Sequence, residues 1–99
     1  MLFRSIEAVR RDFPILSQLT DDGRPHIYLD SGATAQKPQC VIDKLSEVFR
    51  EYNSNVHRGV HALADRVTGA MEGARERIRR LINASEVDEV IFKIGRAHV

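Results

Sequence analysis

The chain has 99 residues, of which 42% are hydrophobic and 29% are charged, with a formal net charge of +1. This composition is typical of a globular chain and excludes a disordered, collagen-like or membrane-spanning one. The small net charge gives no general attraction for nucleic acid or acidic lipid, so neither is expected as a partner. The single cysteine, Cys40, forms no internal disulfide, and the charged opening segment does not resemble a secretory signal. We therefore predict a cytoplasmic protein.

The first predicted element is a short amphipathic helix. Its apolar positions recur at helical spacing between a possible N-cap, Ser5, and a helix terminator, Pro14; these positions are Ile6, Val9 and Phe13. Turn-forming residues at 21–25 then precede an apolar run at 27–29. This pattern predicts a turn followed by one short strand.

Two longer helices follow. Apolar residues at three- and four-residue steps predict a helix over 38–52, ended by the turn formers at 53–55, and a second helix over 63–82. The run at 87–92 changes period and predicts a buried strand. The fold class predicted from these elements is α/β, rich in helices and with short strands.

The second long helix has two features that need an explanation. Gly69 and Gly73 lie on one face, which either lets another backbone or a ligand approach closely or is a neutral surface. Its arginines, between positions 75 and 80, are interpreted as a solvated face in which Glu76 and Arg80 pair, rather than as a nucleic-acid site.

Candidate chemistry is sparse when residues are judged by spacing alone. His57 and His61 have the spacing of a metal-ligand pair, but no further ligands accompany them, so no metal site is predicted. Both histidines are more typical of turn or capping residues. Glycine-rich nucleotide-binding motifs and the nucleophile motif of hydrolases are absent from the sequence.

Longer motifs indicate a family. The sequence resembles the opening of the cysteine desulfurase and selenocysteine lyase family in three separate segments, Phe13-Pro14-Ile15-Leu16, residues 28–38 and residues 52–61. The segments 73–76 and 90–92 continue the resemblance in the same order. It covers nearly the whole chain up to Phe92.

The resemblance implies a class V aminotransferase of the pyridoxal-phosphate fold type I, active as a homodimer. Such an enzyme uses pyridoxal 5'-phosphate to move sulfur from L-cysteine to a cysteine persulfide, leaving L-alanine, for iron–sulfur cluster assembly or related sulfur metabolism. A sulfur-acceptor protein is expected as a further partner. Cysteine and selenocysteine are both open as substrates.

The resemblance also assigns site residues. Ala33 and Thr34 would lie near the substrate carboxylate, and His57 and Arg58 would lie at the active-site entrance or at a dimer contact. Gly32 stands where most members of the family have alanine. The groups that anchor the cofactor and carry out the chemistry lie further downstream in the family, so no catalytic or cofactor-binding residue is predicted here. Residues 1–92 are thus expected to be an inactive N-terminal segment.

The last residues, 93–99, depart from the family pattern. Their codons can be read as a widely used sequencing adapter, so we predict an adapter-derived tail; the alternative is a natural tail with a chance match. For the chain as a whole, the alternative function is a stand-alone helical module that binds protein or nucleic acid.

Overall fold

A computed structural model describes residues 4–93 of the chain. The chain divides into two compact units, Met1–Phe49 and Arg50–Val99. The regular elements are α1 (Ile6–Arg11), a 3₁₀ turn (Pro14–Ser17), α2 (Gln39–Glu51), α3 (Ala62–Ile82) and a second 3₁₀ turn (Val87–Glu89). The predicted tail at 93–99 lies, except for Lys93, outside the described residues.

The predicted first helix is confirmed as α1. The Ser5 hydroxyl caps it by accepting the amide hydrogen of Ala8 at 3.1 Å. Arg4 pairs with Asp12 at 2.6 Å across the helix, and this hydrogen bond lowers the pKa of the Asp12 carboxyl. The chain then turns at Pro14, because proline has no amide hydrogen with which to continue the helical pattern.

The second helix is also confirmed, with α2 beginning and ending one residue inside the predicted range. Its N-terminus is tied to the end of α1, since the Gln39 amide donates to the Asp12 carbonyl at 2.7 Å. Its apolar stripe is at least one-third exposed at Val41, Ile42, Leu45 and Phe49. The amphipathic pattern therefore formed a helix whose apolar face the described residues cover only in part.

The third helix, α3, matches the predicted 63–82 closely. It begins after His61 and ends at Asn83, which adopts the left-handed conformation with φ of 57°. A Cβ at Gly69 or Gly73 would meet no atom within 4 Å beyond its chain neighbours and the backbone of its own helix. The role of these glycines as a close-approach face stays a prediction.

The predicted strand at 27–29 is wrong for the described chain. Ile27 and Leu29 are 82% and 91% exposed, and no backbone ladder joins this run to another segment among residues 4–93. A strand exists only where a neighbouring strand completes its hydrogen bonds. The turn predicted before it is present: the Gly23 amide donates to the Thr20 carbonyl at 2.9 Å.

The predicted strand at 87–92 is also wrong, because local hydrogen bonds form instead. Glu86 and Glu89 make a reciprocal capping box, in which the Glu86 amide donates to the Glu89 carboxylate at 2.8 Å. The Val90 amide donates to the Val87 carbonyl at 3.0 Å. These bonds produce the 3₁₀ turn Val87–Glu89, and Val90 alone in this run is buried.

Among residues 4–93 the buried apolar side chains are Tyr52, Ala64 and Val90, all within the second unit. No helix in the described range is long and apolar enough to cross a membrane.

Candidate functional site

The loop that contains Ala33 and Thr34 is a compact turn. The Asp30 carbonyl accepts the backbone amides of Ala33 and Thr34, at 3.0 and 3.2 Å. The Tyr28 hydroxyl lies within hydrogen-bonding reach of two carbonyls, that of Asp30 at 3.1 Å and that of Thr34. Since the hydroxyl has one proton to donate, these carbonyls share it. Tyr28 therefore holds both ends of the loop together.

Two open cavities lie beside this loop, within the first unit. One, of about 310 Å³, is lined by Arg10, Phe13, Leu16, Tyr28, Ser31, Ala35 and Gln36. The other, of about 290 Å³, is lined by Ile15, Leu16, Gln18, His26, Ile27, Tyr28 and Gln36. Ala33 and Thr34 line neither, and their amides already bond to Asp30. Their contact with a substrate carboxylate stays a prediction.

The turn before α3 places His57 in an unusual backbone conformation. Its φ is 64°, in the left-handed region, where a side chain costs roughly 1–2 kcal/mol. The His57 amide donates to Thr68 Oγ1 at 2.9 Å, and its ring Nε2 lies 2.8 Å from Glu72 Oε1. Two residues of α3 therefore contact a histidine whose backbone lies in the left-handed region.

Glu72 is shared between His57 and Arg75. Its Oε2 accepts a hydrogen bond from Arg75 Nε at 3.1 Å. The hydrogen bonds from Arg75 and, second, from His57 hold the pKa of Glu72 below its usual value. The side chains of His57 and Glu72 are 47% and 44% exposed, so water screens their attraction and the contact acts mainly through its geometry.

Arg75 extends this chain of contacts beyond α3. Its guanidinium also donates to the Val90 carbonyl and lies 4.8 Å from the centre of the Phe92 ring, a cation–π arrangement. Its side chain is only 19% exposed. The helix thus links the His57 turn to the segment that follows Glu89.

His61 has the capping role that its sequence context predicts. Its Nδ1 accepts the Ala64 amide at 3.3 Å at the start of α3, and its Nε2 lies 3.4 Å from Ser54 Oγ. An accepting Nδ1 leaves the neutral ring's proton on Nε2, from which it can be donated to Ser54. His57 and His61 therefore contact different partners.

The arginine face of α3 is internally paired. Arg79 and Arg80 contact Glu76 at 2.7 and 3.2 Å, and their hydrogen bonds, that of Arg79 first, lower the pKa of Glu76 to about 2. The Glu76–Arg80 pair predicted from spacing is thus confirmed. Since Arg75, Arg79 and Arg80 of this face all pair with glutamates, the face gives little support to the nucleic-acid alternative.

Arg58, beside His57, is exposed and makes no hydrogen bond or ion pair with another described residue. Its guanidinium is therefore available to an anionic group. The residues that sequence reasoning missed are those that order the site: Tyr28, Thr68, Glu72 and Arg75. The last three recur at helical steps of four and three, but this spacing is also typical of a solvated helix face.

The cofactor implied by the resemblance needs a lysine in a pocket, because pyridoxal phosphate is held as a Schiff base. Lys37 donates to the Ala35 carbonyl, and Lys44 pairs with Glu47 at 2.8 Å. No lysine among residues 4–93 lines either cavity. The described residues do not fit this group, and we assign no cofactor contact to them.

The sequence model of the family described as aminotransferase class-V matches residues 27–98, more than half of the chain. The chain belongs to the class-V aminotransferase family. The matched range includes both the Tyr28 loop and the His57 turn.

Relatives within this family carry a more specific description. The chain is 55% identical over 86 residues to a probable cysteine desulfurase of Streptomyces coelicolor, covering 87% of the chain and 21% of the relative. It is 51% identical over 90 residues to a cysteine desulfurase of Synechococcus elongatus, covering 91% of the chain and 14% of that relative. The chain thus spans about a fifth or less of the length of these relatives.

A solved structure supports the same grouping. The apo cysteine desulfurase of Thermococcus onnurineus NA1 has a TM-score of 0.72 to the chain, with 32% sequence identity. The match covers 91% of the chain and 20% of that structure. The helix-rich segment described above is therefore similar in fold to part of that larger cysteine desulfurase.

Proposed function

We propose that this sequence is the N-terminal part of a pyridoxal-phosphate-dependent cysteine desulfurase of fold type I. The complete enzyme would take sulfur from L-cysteine onto a cysteine persulfide and release L-alanine. It would act as a cytoplasmic homodimer and pass the sulfur to an acceptor protein.

The observation that carries this proposal is the identity of about half the residues to relatives named cysteine desulfurase, over nearly the whole chain. The structural similarity at 32% identity supports the same activity. The paired arginine face supports it indirectly, because it weakens the nucleic-acid-binding alternative.

Within this proposal the two ordered segments have separate roles. The loop held by Tyr28 would bring Ala33 and Thr34 near the substrate carboxylate. The turn before α3 would place His57 and Arg58 at the active-site entrance or at a dimer contact. The free guanidinium of Arg58 and the strained backbone of His57 support a role beyond surface structure.

A chimeric enzyme tests the activity. In the Streptomyces coelicolor relative, the matching segment is replaced by residues 5–92 of this chain, and the remainder supplies the cofactor site. We expect the purified chimera to bind pyridoxal phosphate and to release alanine from L-cysteine at a rate within about tenfold of the unmodified relative.

The control is the same replacement taken from a class-V aminotransferase of another activity. A folded chimera that binds the cofactor and yet forms no alanine would contradict the proposal. Loss of activity with the control segment and retention with this one would support a segment specialised for desulfuration.

A further inference from the structure

The contacts of the His57 turn converge on one face of α3. The backbone amide of His57 donates a hydrogen bond to the Thr68 hydroxyl. The His57 ring contacts the carboxylate of Glu72, one helical turn further on. Arg75 then fixes the other oxygen of Glu72 at 3.1 Å. The backbone and the side chain of His57 are thus contacted by residues on successive turns of α3.

We propose that Thr68 and Glu72 are positioning residues that fix the left-handed backbone of His57 and the direction of its imidazole. The inference rests on the proposed function, which places His57 and Arg58 at the active-site entrance. Neither α3 residue would touch substrate. Both would act by fixing the conformation of the turn that contains His57.

The left-handed conformation of His57 also bears on the position of Arg58. His57, with φ of 64°, lies in the turn at 56–58, and the next residue, Arg58, is exposed with no hydrogen-bond or ion-pair partner among the described residues. If His57 relaxed to an ordinary conformation, Arg58 would be displaced with it. Residues that fix the backbone conformation of His57 therefore also fix the position of Arg58.

Arg75 couples this arrangement to a second segment. It binds Glu72 while donating to the Val90 carbonyl and lying over Phe92. Because Val90 is buried and Arg75 largely so, this end of the contact chain is fixed more firmly than the half-exposed His57 end. Glu72 is thus oriented by the largely buried Arg75, and it contacts His57 in turn.

The test uses the chimera with four single substitutions. Thr68→Val removes the acceptor at nearly constant shape, and Thr68→Ser keeps it. Glu72→Gln keeps the size of the side chain but removes the charge. The matched control is Glu76→Gln, one turn along the same helix, which breaks equally close arginine contacts but does not touch the His57 turn.

Two readouts are measured: kcat/KM for alanine release, and hydrogen exchange of the backbone amides at 56–61 by mass spectrometry. We expect Thr68→Val to speed this exchange and Glu72→Gln and Thr68→Val each to lower kcat/KM by about tenfold. Thr68→Ser should stay within about threefold of the parent, and Glu76→Gln should change neither readout.

The inference is overturned if Thr68→Val and Glu72→Gln behave like Glu76→Gln in both readouts. If Thr68→Val does not fold, the comparison of Glu72→Gln with Glu76→Gln decides alone. An inactive parent chimera would count against the proposed function, whereas the exchange measurement would still show whether α3 holds the turn.

Discussion

A methyl group placed on Gly59 would lie 2.3 Å from the Cβ of Ala64, the most buried residue among those the structure describes. Gly59 follows the His57–Arg58 pair, and Ala64 lies in the first turn of α3. The turn and the helix therefore approach each other so closely that no side chain fits between them. This contact places His61 where its ring can cap the helix.

Gly59→Ala should consequently destabilise the second unit by about 1–3 kcal/mol, because Ala64 is rigid and has no room to move. Far-ultraviolet circular dichroism during thermal unfolding measures the effect. The matched control is Gly69→Ala, where nothing lies within 4 Å and a helix former replaces glycine. That variant should be about 0.5–1 kcal/mol more stable. Equal effects of the two substitutions would contradict the close contact.

The helices were predictable because their signal is local. Each amphipathic stripe, the Ser5 cap and the Pro14 stop lie within the segment that they shape, and α2 and α3 begin and end within a residue of the predicted ranges. The strands were not, since a strand depends on hydrogen bonds to a partner strand, which is not set by the local sequence. In their absence, the capping box of Glu86 and Glu89 formed a 3₁₀ turn.

The candidate site was predictable only in part, for the same reason. The motif containing His57 and Arg58 was recognised as a segment, but the contact of His57 with Glu72 joins residues fifteen apart. Nothing in the sequence distinguishes Glu72, which orders the turn, from Glu76, which pairs only with arginines of its own helix. Tyr28 was likewise assigned to a strand, whereas its hydroxyl closes the loop that follows.

The pKa of Glu76 predicts a dependence of helix stability on pH. Since its folded pKa is about 2 and its ordinary value is 4.5, the carboxylate stabilises the folded state above pH 4.5. This contribution falls as the pH is lowered from 4.5 towards 2, because the unfolded chain takes up the proton more readily.

We therefore expect Glu76→Gln to flatten the loss of helicity between these two pH values, as followed by circular dichroism. The control is Asp88→Asn, because the Asp88 side chain has no hydrogen bond or ion pair with another described residue. If both substitutions change the pH profile alike, the arginine contacts of Glu76 do not account for the acid sensitivity.

The left-handed conformation at the end of α3 predicts that glycine in place of Asn83 keeps or raises the stability of the chain. Asn83 has φ of 57°, and the following amide, of Ala84, donates back to the Arg79 carbonyl at 3.0 Å. Asn83→Gly should be as stable as the parent or more stable, whereas Asn83→Val should lose about 1–2 kcal/mol, since a branched side chain is strained there. Thermal unfolding measures both. Asn53→Val, at a residue without positive φ, serves as control and should cost less than Asn83→Val.

The uncovered face of α2 predicts self-association of the 99-residue chain. Leu45 and Phe49 are 51% and 69% exposed on one stripe, and burying such apolar area is favourable. Size-exclusion chromatography with light scattering should show a mass that rises with concentration. Replacing both residues by lysine should lower it, whereas Arg50→Lys, which preserves the charge beside this stripe, should not. A chain that stays monomeric at all concentrations would show that this face of α2 does not drive self-association.

Replacing Arg58 should lower the activity far more than replacing another exposed arginine that has no partner among the described residues. Arg58 and Arg77 are both exposed, and neither makes a hydrogen bond or ion pair with another described residue, so their structural contributions are comparable. In the chimera we expect Arg58→Ala to lower kcat/KM by about tenfold or more, because a guanidinium that contacts an anionic group contributes on that scale. Arg77→Ala should change it less than twofold, by about 0.4 kcal/mol at most.

Gel filtration of both variants separates the two roles proposed for Arg58: a dimer with reduced kcat/KM assigns it to the entrance, and dissociation assigns it to a subunit contact. If the two alanine variants are equally active dimers, neither role holds, and the turn before α3 then has no part in activity through Arg58.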